Sequence, residues 1–227
     1  MIKLKHQVKK IVLPIYCYFR YGSLGKYFAQ ARLIEGWTTP PELLALAEVS
    51  KGLPNDAQIV EVGSFLGRSS VIIAGSRKLQ GSGKVHCIDP FDASGDSYST
   101  EIYENIEKES KLTLRERFDH YVKISNVQDY IEVYSGTAES VAEHWKTPID
   151  LLFLDGDQSP IGARSSYDYW IPFLKCGGMI MIHNSGDRAY DPEHIGYRKL
   201  VLDVIREPQY KNIKCIGSTT IARKVSE

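Results

Sequence analysis

Polar residues able to do chemistry gather at five places in this chain. Glu61, Gly63, Ser64 and Gly67 lie in IVEVGSFLGRSSVIIA, Asp89 and Asp92 in VHCIDPFD, and Gly136, Thr137 and Ala138 in VYSGTAES. Asp155, Asp157 and Gln158 follow in IDLLFLDGDQ, and His183, Asn184 and Asp187 in MIMIHNSGD. Carboxylates accept hydrogen bonds from hydroxyl and ammonium groups, an imidazole exchanges protons near neutral pH, and glycine lets the backbone approach a ligand closely. Such a set suits a small polar ligand.

The first cluster reads E-x-G-x-x-x-G, with Phe65 where the dinucleotide fingerprint G-x-G-x-x-G needs its middle glycine. No G-x-x-x-x-G-K-[ST] phosphate cradle occurs either. An acid before the first glycine is a poor neighbour for phosphate and a good one for an ammonium group. Asp89 can accept two hydrogen bonds from ribose hydroxyls, the role an acid plays at this place in nucleotide-binding folds.

Each cluster ends a run of β-branched and aliphatic residues, and each run is followed by a helix-like segment. The strand-like runs AQIVEVG, KVHCIDP, YIEVYSG, IDLLFLDG and GGMIMIHN alternate with helices over 67–79, about 99–123, 138–145, 162–174 and 193–206. Alternation of this kind implies a doubly wound, mostly parallel sheet in an α/β/α sandwich, with ligands beyond the carboxyl ends of its strands. Before it, Thr39 caps a helix with Pro40 and Pro41 in its first turn, ended by Gly52 and Pro54. The tail YKNIKCIGSTTIARKV has no room for a helix and reads as an antiparallel hairpin turning at Gly217 and Ser218. Residues 92–101, rich in Ser, Gly and Asp, read as a loop.

The 227 residues, 43% hydrophobic and 25% charged, suit one globular domain with a sizeable core. A net charge of zero excludes a protein built mainly to coat nucleic acid. That average hides a polarity. Residues 1–34 hold seven Lys/Arg and no acid, leaving 21 basic against 28 acidic residues beyond them. We therefore expect a basic N-terminal helical segment over 1–36, a catalytic or binding domain over 37–227, and no nucleic-acid partner. The head can act as a lid, as an arm between subunits of a homo-oligomer, or, through residues 1–26, as a peripheral contact with anionic membrane. The run IVLPIYCYF is too short to span a bilayer and holds a proline. Four scattered cysteines suggest neither a zinc site nor a disulfide framework, and a cytoplasmic location follows as the default.

The five motifs, in this order and spacing, resemble those of the class I S-adenosylmethionine-dependent methyltransferases. VEVGSFLGRSS is similar to that family's first motif, VHCIDPFD to its second and VYSGTAES to its third; IDLLFLDGD and LKCGGMIMIHN are similar to its fourth and fifth. The resemblance covers about residues 37–225 and is nearest to the small O-methyltransferases that act on sugars of natural products. It implies a seven-stranded sheet, S-adenosylmethionine as cofactor and a small-molecule hydroxyl as acceptor. Glu61 and Gly63, with Ser64 and Gly67 in the same turn, would hold the methionine end, Asp89 the ribose, Thr137 and Ala138 the adenine, and Asp155 would face the methyl group.

Two departures from the family bear on catalysis. In metal-dependent relatives an acid at Asp155 joins two acidic or Asn residues after the fifth strand to bind magnesium; here those places read His183 and Asn184. Histidine is a poor magnesium ligand, though manganese accepts it more readily. Where sugar enzymes read D-G-x-H, this chain reads DGDQ, and the Gln158 amide cannot serve as a base. His183 is then the first candidate base and Asp157 the second. Loss of catalysis with retained cofactor binding is the alternative, and an NAD-dependent oxidoreductase or epimerase is a more distant one. His86 and Cys87, inside a strand, are expected in the core.

Overall fold

The computed structural model describes residues 2–108 and 110–226, with all their side chains except those of 2–11 and 98. Thr39 opens a helix as the sequence predicts: Pro40 occupies its first turn, and the Glu42 carboxylate accepts the Thr39 amide at 2.6 Å. This helix, α3 (Pro40–Lys51), follows α1 (Ile2–Tyr21) and α2 (Leu24–Ala31). Strands and helices then alternate: β1 (Gln58–Val62), α4 (Arg68–Gln80), β2 (Lys84–Asp89), α5 (Ser97–Lys108), α6 (Leu114–Ile124), β3 (Ile131–Ser135), α7 (Ala138–Ala142), β4 (Ile149–Leu154), α8 (Pro160–Trp170), β5 (Leu174–Ile182), α9 (Gly196–Val204). The hairpin β6 (Tyr210–Ile216) and β7 (Thr219–Lys224) closes the chain.

The strands form one seven-stranded sheet in the order β3-β2-β1-β4-β5-β7-β6, with β7 antiparallel to both of its neighbours and the first five strands parallel. The strand order reverses between β1 and β4, and such a reversal opens a crevice at the carboxyl ends. Alternation along the strands divides the core in two. Ile59, Leu151 and Phe153 face one apolar cluster with α2, α3, α4 and α6, while Val60, Val62, Leu152 and Leu154 face the other with α8 and α9. His86 and Cys87 are buried, as expected of strand residues.

The segment about 99–123 departs from the reading as one helix. It is split into α5 and α6 because Thr113 starts a new helix with a capping box, its hydroxyl accepting the Glu116 amide while Glu116 accepts the Thr113 amide. Leu114, Phe118 and Val122, one helical turn apart, bury the inner face of α6. The predicted loop 92–101 already enters α5 at Ser97, because the buried Asp96 carboxylate accepts the Ser99 amide and caps the helix. The basic head is tied to the body: Tyr27 and Phe28 of α2 are buried in the α4 cluster, and a Cβ on Gly75 would lie 2.2 Å from the Tyr27 ring. Among the described residues no helix is long and apolar enough to cross a membrane.

Candidate active site

Two adjoining cavities open at the strand ends. The first is lined by Gly63, Asp89, Gly136, Thr137, Ala138, Asp155 and Asp157 among others. The second is lined by Trp37, His183, Asn184, Arg188 and His194, and it shares Gly63, Phe65, Tyr103 and Asp155 with the first. The rings of Trp37, Phe65 and Tyr103 pack at centroid distances of 4.9–5.5 Å and form the wall beside the junction.

Gly63 is where β1 must give way to the crevice. Its φ is +89°, and a Cβ there would lie 2.3 Å from the Asp155 carbonyl oxygen, so β1 and β4 end in near backbone contact. Glu61 is placed differently from the expectation. Two residues along a strand from Ile59, it shares that residue's face and points toward α4, where Ser64, Ser70 and Cys87 donate to its Oε2. It is fully buried, does not line the first cavity, and holds the turn from below. Burial pushes its carboxyl up, against the serine donors, and its Oε1 has no partner. Ser64 is likewise turned into this network, and Gly67 caps α4 at φ +87° against the Phe118 ring.

Asp89, ending β2, meets the expectation for position. Its Oδ2 accepts the Phe65 amide at 2.8 Å and its Oδ1 the Phe91 amide at 2.7 Å, which fixes both oxygens at the cavity edge. Burial raises its carboxyl to about 6, partly offset by those two amides. Across the cavity, Thr137 caps α7 through the Ser140 amide, leaving Gly136 and Ala138 as a small-residue floor. Asp157 lines this same cavity, but its carboxylate accepts the Ser159 amide at 2.8 Å at the start of α8, and it does not line the second.

At the junction, Asp155 Oδ1 lies 2.7 Å from His183 Nδ1, and Glu42 Oε2 lies 3.8 Å from His183 Nε2, an ion-pair distance longer than a hydrogen bond. Burial would lower the His183 imidazole, but Asp155 and then Glu42 outweigh it and raise it to about 10. The two carboxylates favour the protonated imidazole and Asp155 occupies its Nδ1, which makes His183 a poor base for an acceptor hydroxyl. Glu42, buried, would be raised by desolvation, yet the His183 imidazole beside it and its bonds from Thr39 drive it well below the usual carboxylate range. Its Oε1 also takes the Ser218 amide at 2.6 Å and the Ser218 hydroxyl at 2.8 Å, which locks the β6–β7 turn onto α3. Gln158 donates to Asp155 and to the Gly156 carbonyl.

The set Asp155, His183 and Asn184 does not fit magnesium or manganese. The nitrogen of His183 nearest Asp155 carries the bond between them, and the Asn184 Oδ1 accepts the Arg188 guanidinium at 2.6 Å. A second cation at that oxygen would meet a guanidinium already in place. Among the described residues no group of three His, Cys, Asp or Glu side chains is disposed to hold a metal ion. Sequence reading missed Glu42, Trp37, Asp96, Tyr103 and His194. None of them follows a strand directly, so the rule that drew attention to the strand ends passed over them.

Residues 60–185 match a methyltransferase domain family, more than half of the chain. The chain belongs to that methyltransferase family. The resemblance to class I S-adenosylmethionine-dependent enzymes drawn from its motifs is thereby borne out, as is the seven-stranded Rossmann-like fold. Solved structures similar to this methyltransferase include cofactor-bound Rv0187 from MTB, 14% identical over 94% of this chain and 95% of that one, with a TM-score of 0.62. The O-methyltransferase from Bacillus cereus in complex with SAH is 16% identical over 94% of this chain and 97% of that one, with a TM-score of 0.61. The calicheamicin methyltransferase CalS11 is 15% identical, covering 80% of this chain and 76% of its own, with a TM-score of 0.56. At these identities the likeness is one of fold.

Proposed function

We propose that this methyltransferase binds S-adenosylmethionine in the first cavity and transfers its methyl group to a hydroxyl of a small molecule, of sugar or natural-product type, in the second. The observation that carries this reading is the junction: Gly63, Phe65, Tyr103 and Asp155 line both cavities, so two ligands would meet there. Structural neighbours named as O-methyltransferases, one of them in complex with SAH, support the oxygen acceptor and the donor. CalS11, named as a TDP-rhamnose 3'-O-methyltransferase, supports the sugar class.

The donor supplies an electrophilic methyl on a positive sulfur. The chain's own part is to hold and align. Asp89 presents two fixed carboxylate oxygens to the ribose hydroxyls, Gly63 lets the methionine end lie against the backbone, and Gly136, Thr137 and Ala138 leave a flat slot for adenine. Glu61 acts beneath the turn by fixing Ser64 and the start of α4. Alignment of donor and acceptor can account for several kcal/mol of barrier reduction, about 7–11 in well-oriented systems.

Asp89→Ala should weaken S-adenosylmethionine by about 1.5–3 kcal/mol, the range for hydrogen bonds to a charged group. In the unchanged protein the affinity should fall as pH drops through about 6, where Asp89 gains its proton. Calorimetry across pH 5–8 would show both; equal affinity in the variant removes Asp89 from the site. For the reaction, release of S-adenosylhomocysteine is measured over a panel of sugars and phenols. Tight binding without turnover on the whole panel favours a binding protein that has lost catalysis, and preferential binding of NAD overturns the cofactor.

We propose as well that residues 1–26 act outside the catalytic cleft. From α1, Val12, Ile15, Tyr16 and Phe19 share one helical face and are all more than half exposed, with Arg20 and Lys26 exposed nearby. Both cavities are lined from Trp37 onward. This supports an arm on a second copy, or a contact with anionic membrane, over a lid.

A further inference from the structure

We infer that His194, in the segment between β5 and α9, takes the proton from the acceptor hydroxyl, with Asp96 as its positioning partner. The inference rests on the reading of the second cavity as the acceptor site.

His194 lines that cavity together with Asp155 and Asn184. Its Nδ1 lies 3.3 Å from Asp96 Oδ1 and 3.5 Å from the Ser99 hydroxyl. Asp96 is itself held rigidly in place. Its side chain is 2% exposed, its Oδ1 accepts the Ser99 amide at 3.0 Å, and its Oδ2 lies 3.4 Å from the Gln158 amide. Desolvation would raise it, but His194 and Ser99 more than compensate and keep it a carboxylate. A carboxylate can only accept, so Nδ1 carries the hydrogen and Nε2 the lone pair.

The other face of the ring gives the same assignment independently. Nε2 lies 3.3 Å from Asn184 Nδ2. That atom is the amide nitrogen, because Arg188, which can only donate, bonds the Asn184 Oδ1 at 2.6 Å. A donor therefore meets Nε2 and an acceptor meets Nδ1. Both contacts fit the Nδ1–H tautomer, whose Nε2 lone pair meets the Asn184 amide where both residues line the acceptor cavity, the arrangement a general base needs once an acceptor hydroxyl takes the amide's place. Of the two candidate bases named from the sequence, His183 is held toward its protonated form by Asp155 and Glu42, and Asp157 lies in the first cavity. The titratable and charged groups around the ring include Asp96 before α5, Asp155 after β4, His183 beyond it, and Arg188 behind Asn184.

In the step, an acceptor hydroxyl displaces the Asn184 amide from Nε2. Its oxygen forms a bond to the methyl carbon as the sulfur–carbon bond breaks and the electron pair goes to sulfur. The hydroxyl proton passes to His194 Nε2, and the imidazolium formed is paired with the Asp96 carboxylate until solvent takes the proton.

The first test is independent of any acceptor. Nitrogen-15 NMR of the imidazole in the cofactor-free protein at neutral pH should show His194 protonated on Nδ1 alone, turning to the Nε2–H form or to a mixture in Asp96→Asn. A neutral Nε2–H ring, or a ring protonated on both nitrogens, overturns the inference. The second uses any panel acceptor that the unchanged protein methylates. His194→Gln should lower kcat by about 100-fold or more, within the span of general-base contributions, while KM and S-adenosylmethionine affinity stay within about threefold. Added imidazole should restore part of the rate to His194→Gly. Asp96→Asn should lower kcat with KM unchanged. Full activity in His194→Gln overturns the role of His194, whereas no turnover by the unchanged protein on the panel counts against the acceptor reading and leaves NMR to decide the tautomer.

Discussion

Glu42→Ala is expected to destabilise the protein by about 3–5 kcal/mol, the cost of breaking a buried ion pair by removing one partner. The carboxylate is fully buried and serves three elements at once: the Thr39 amide opening α3, the Ser218 amide in the β6–β7 turn, and His183 at the end of β5. Alanine leaves these donors without an acceptor and leaves the His183 imidazolium with Asp155 alone. Glu42→Gln, which keeps an acceptor oxygen, should cost less. The pH dependence separates the charge from the hydrogen bonds. His183 keeps its proton to about 10 in the folded chain, against about 6.5 in an unfolded one. The stability it contributes is therefore complete below about 6.5 and is lost as pH rises toward 10. Without Glu42 the folded value should fall, so the loss should be smaller and should end at lower pH. Urea unfolding at several values from pH 6 to 10 measures both effects. A cost under about 1 kcal/mol, or an alkaline profile identical to that of the unchanged protein, would show that the cluster does not hold the fold.

Gly63→Ala is expected to damage stability and cofactor binding together. At φ +89° a side chain is strained, which costs about 1–3 kcal/mol. The added carbon would also lie 2.3 Å from the Asp155 carbonyl oxygen and 2.5 Å from the Gly156 nitrogen, both backbone atoms that cannot swing aside. Relief requires the ends of β1 and β4 to separate, adding about 1–3 kcal/mol of overpacking cost. It also shifts Asp155, so S-adenosylmethionine affinity should drop by at least about tenfold, or ~1.4 kcal/mol. Gly81→Ala is the matched control, with φ +80° but nothing within 4 Å of the added carbon. Comparable losses in the two variants would mean that the close approach at Gly63 carries no special cost.

Much of the fold was legible because it is local. Alternation of apolar runs with helix-like segments, Thr39 before two prolines, and the helix-free tail each express a preference of neighbouring residues, and the sheet agrees with them. The break between α5 and α6 is as local, but the Thr113–Glu116 capping box lies inside the segment about 99–123, whose pattern suits one helix. Of the residues singled out in the candidate site, Gly63, Asp89, Thr137, Ala138 and Asp155 stand at or just past strand ends and line the first cavity. Glu61 shows the limit of that rule. Its place in the motif drew it to the ligand, yet the two-residue period of the strand turns it toward α4.

Side-chain period and turn chemistry act within short stretches, so the strands and the small and acidic residues at their ends are written in the chain, whereas the strand order arises from pairing between distant segments. The electrostatic setting of the two histidines is a property of the folded chain, because their neighbours come from distant parts of it. Glu42 and Asp155, from α3 and the end of β4, enclose His183 and favour its protonated form. Asp96 and Asn184, from before α5 and after β5, hold the two nitrogens of the His194 ring.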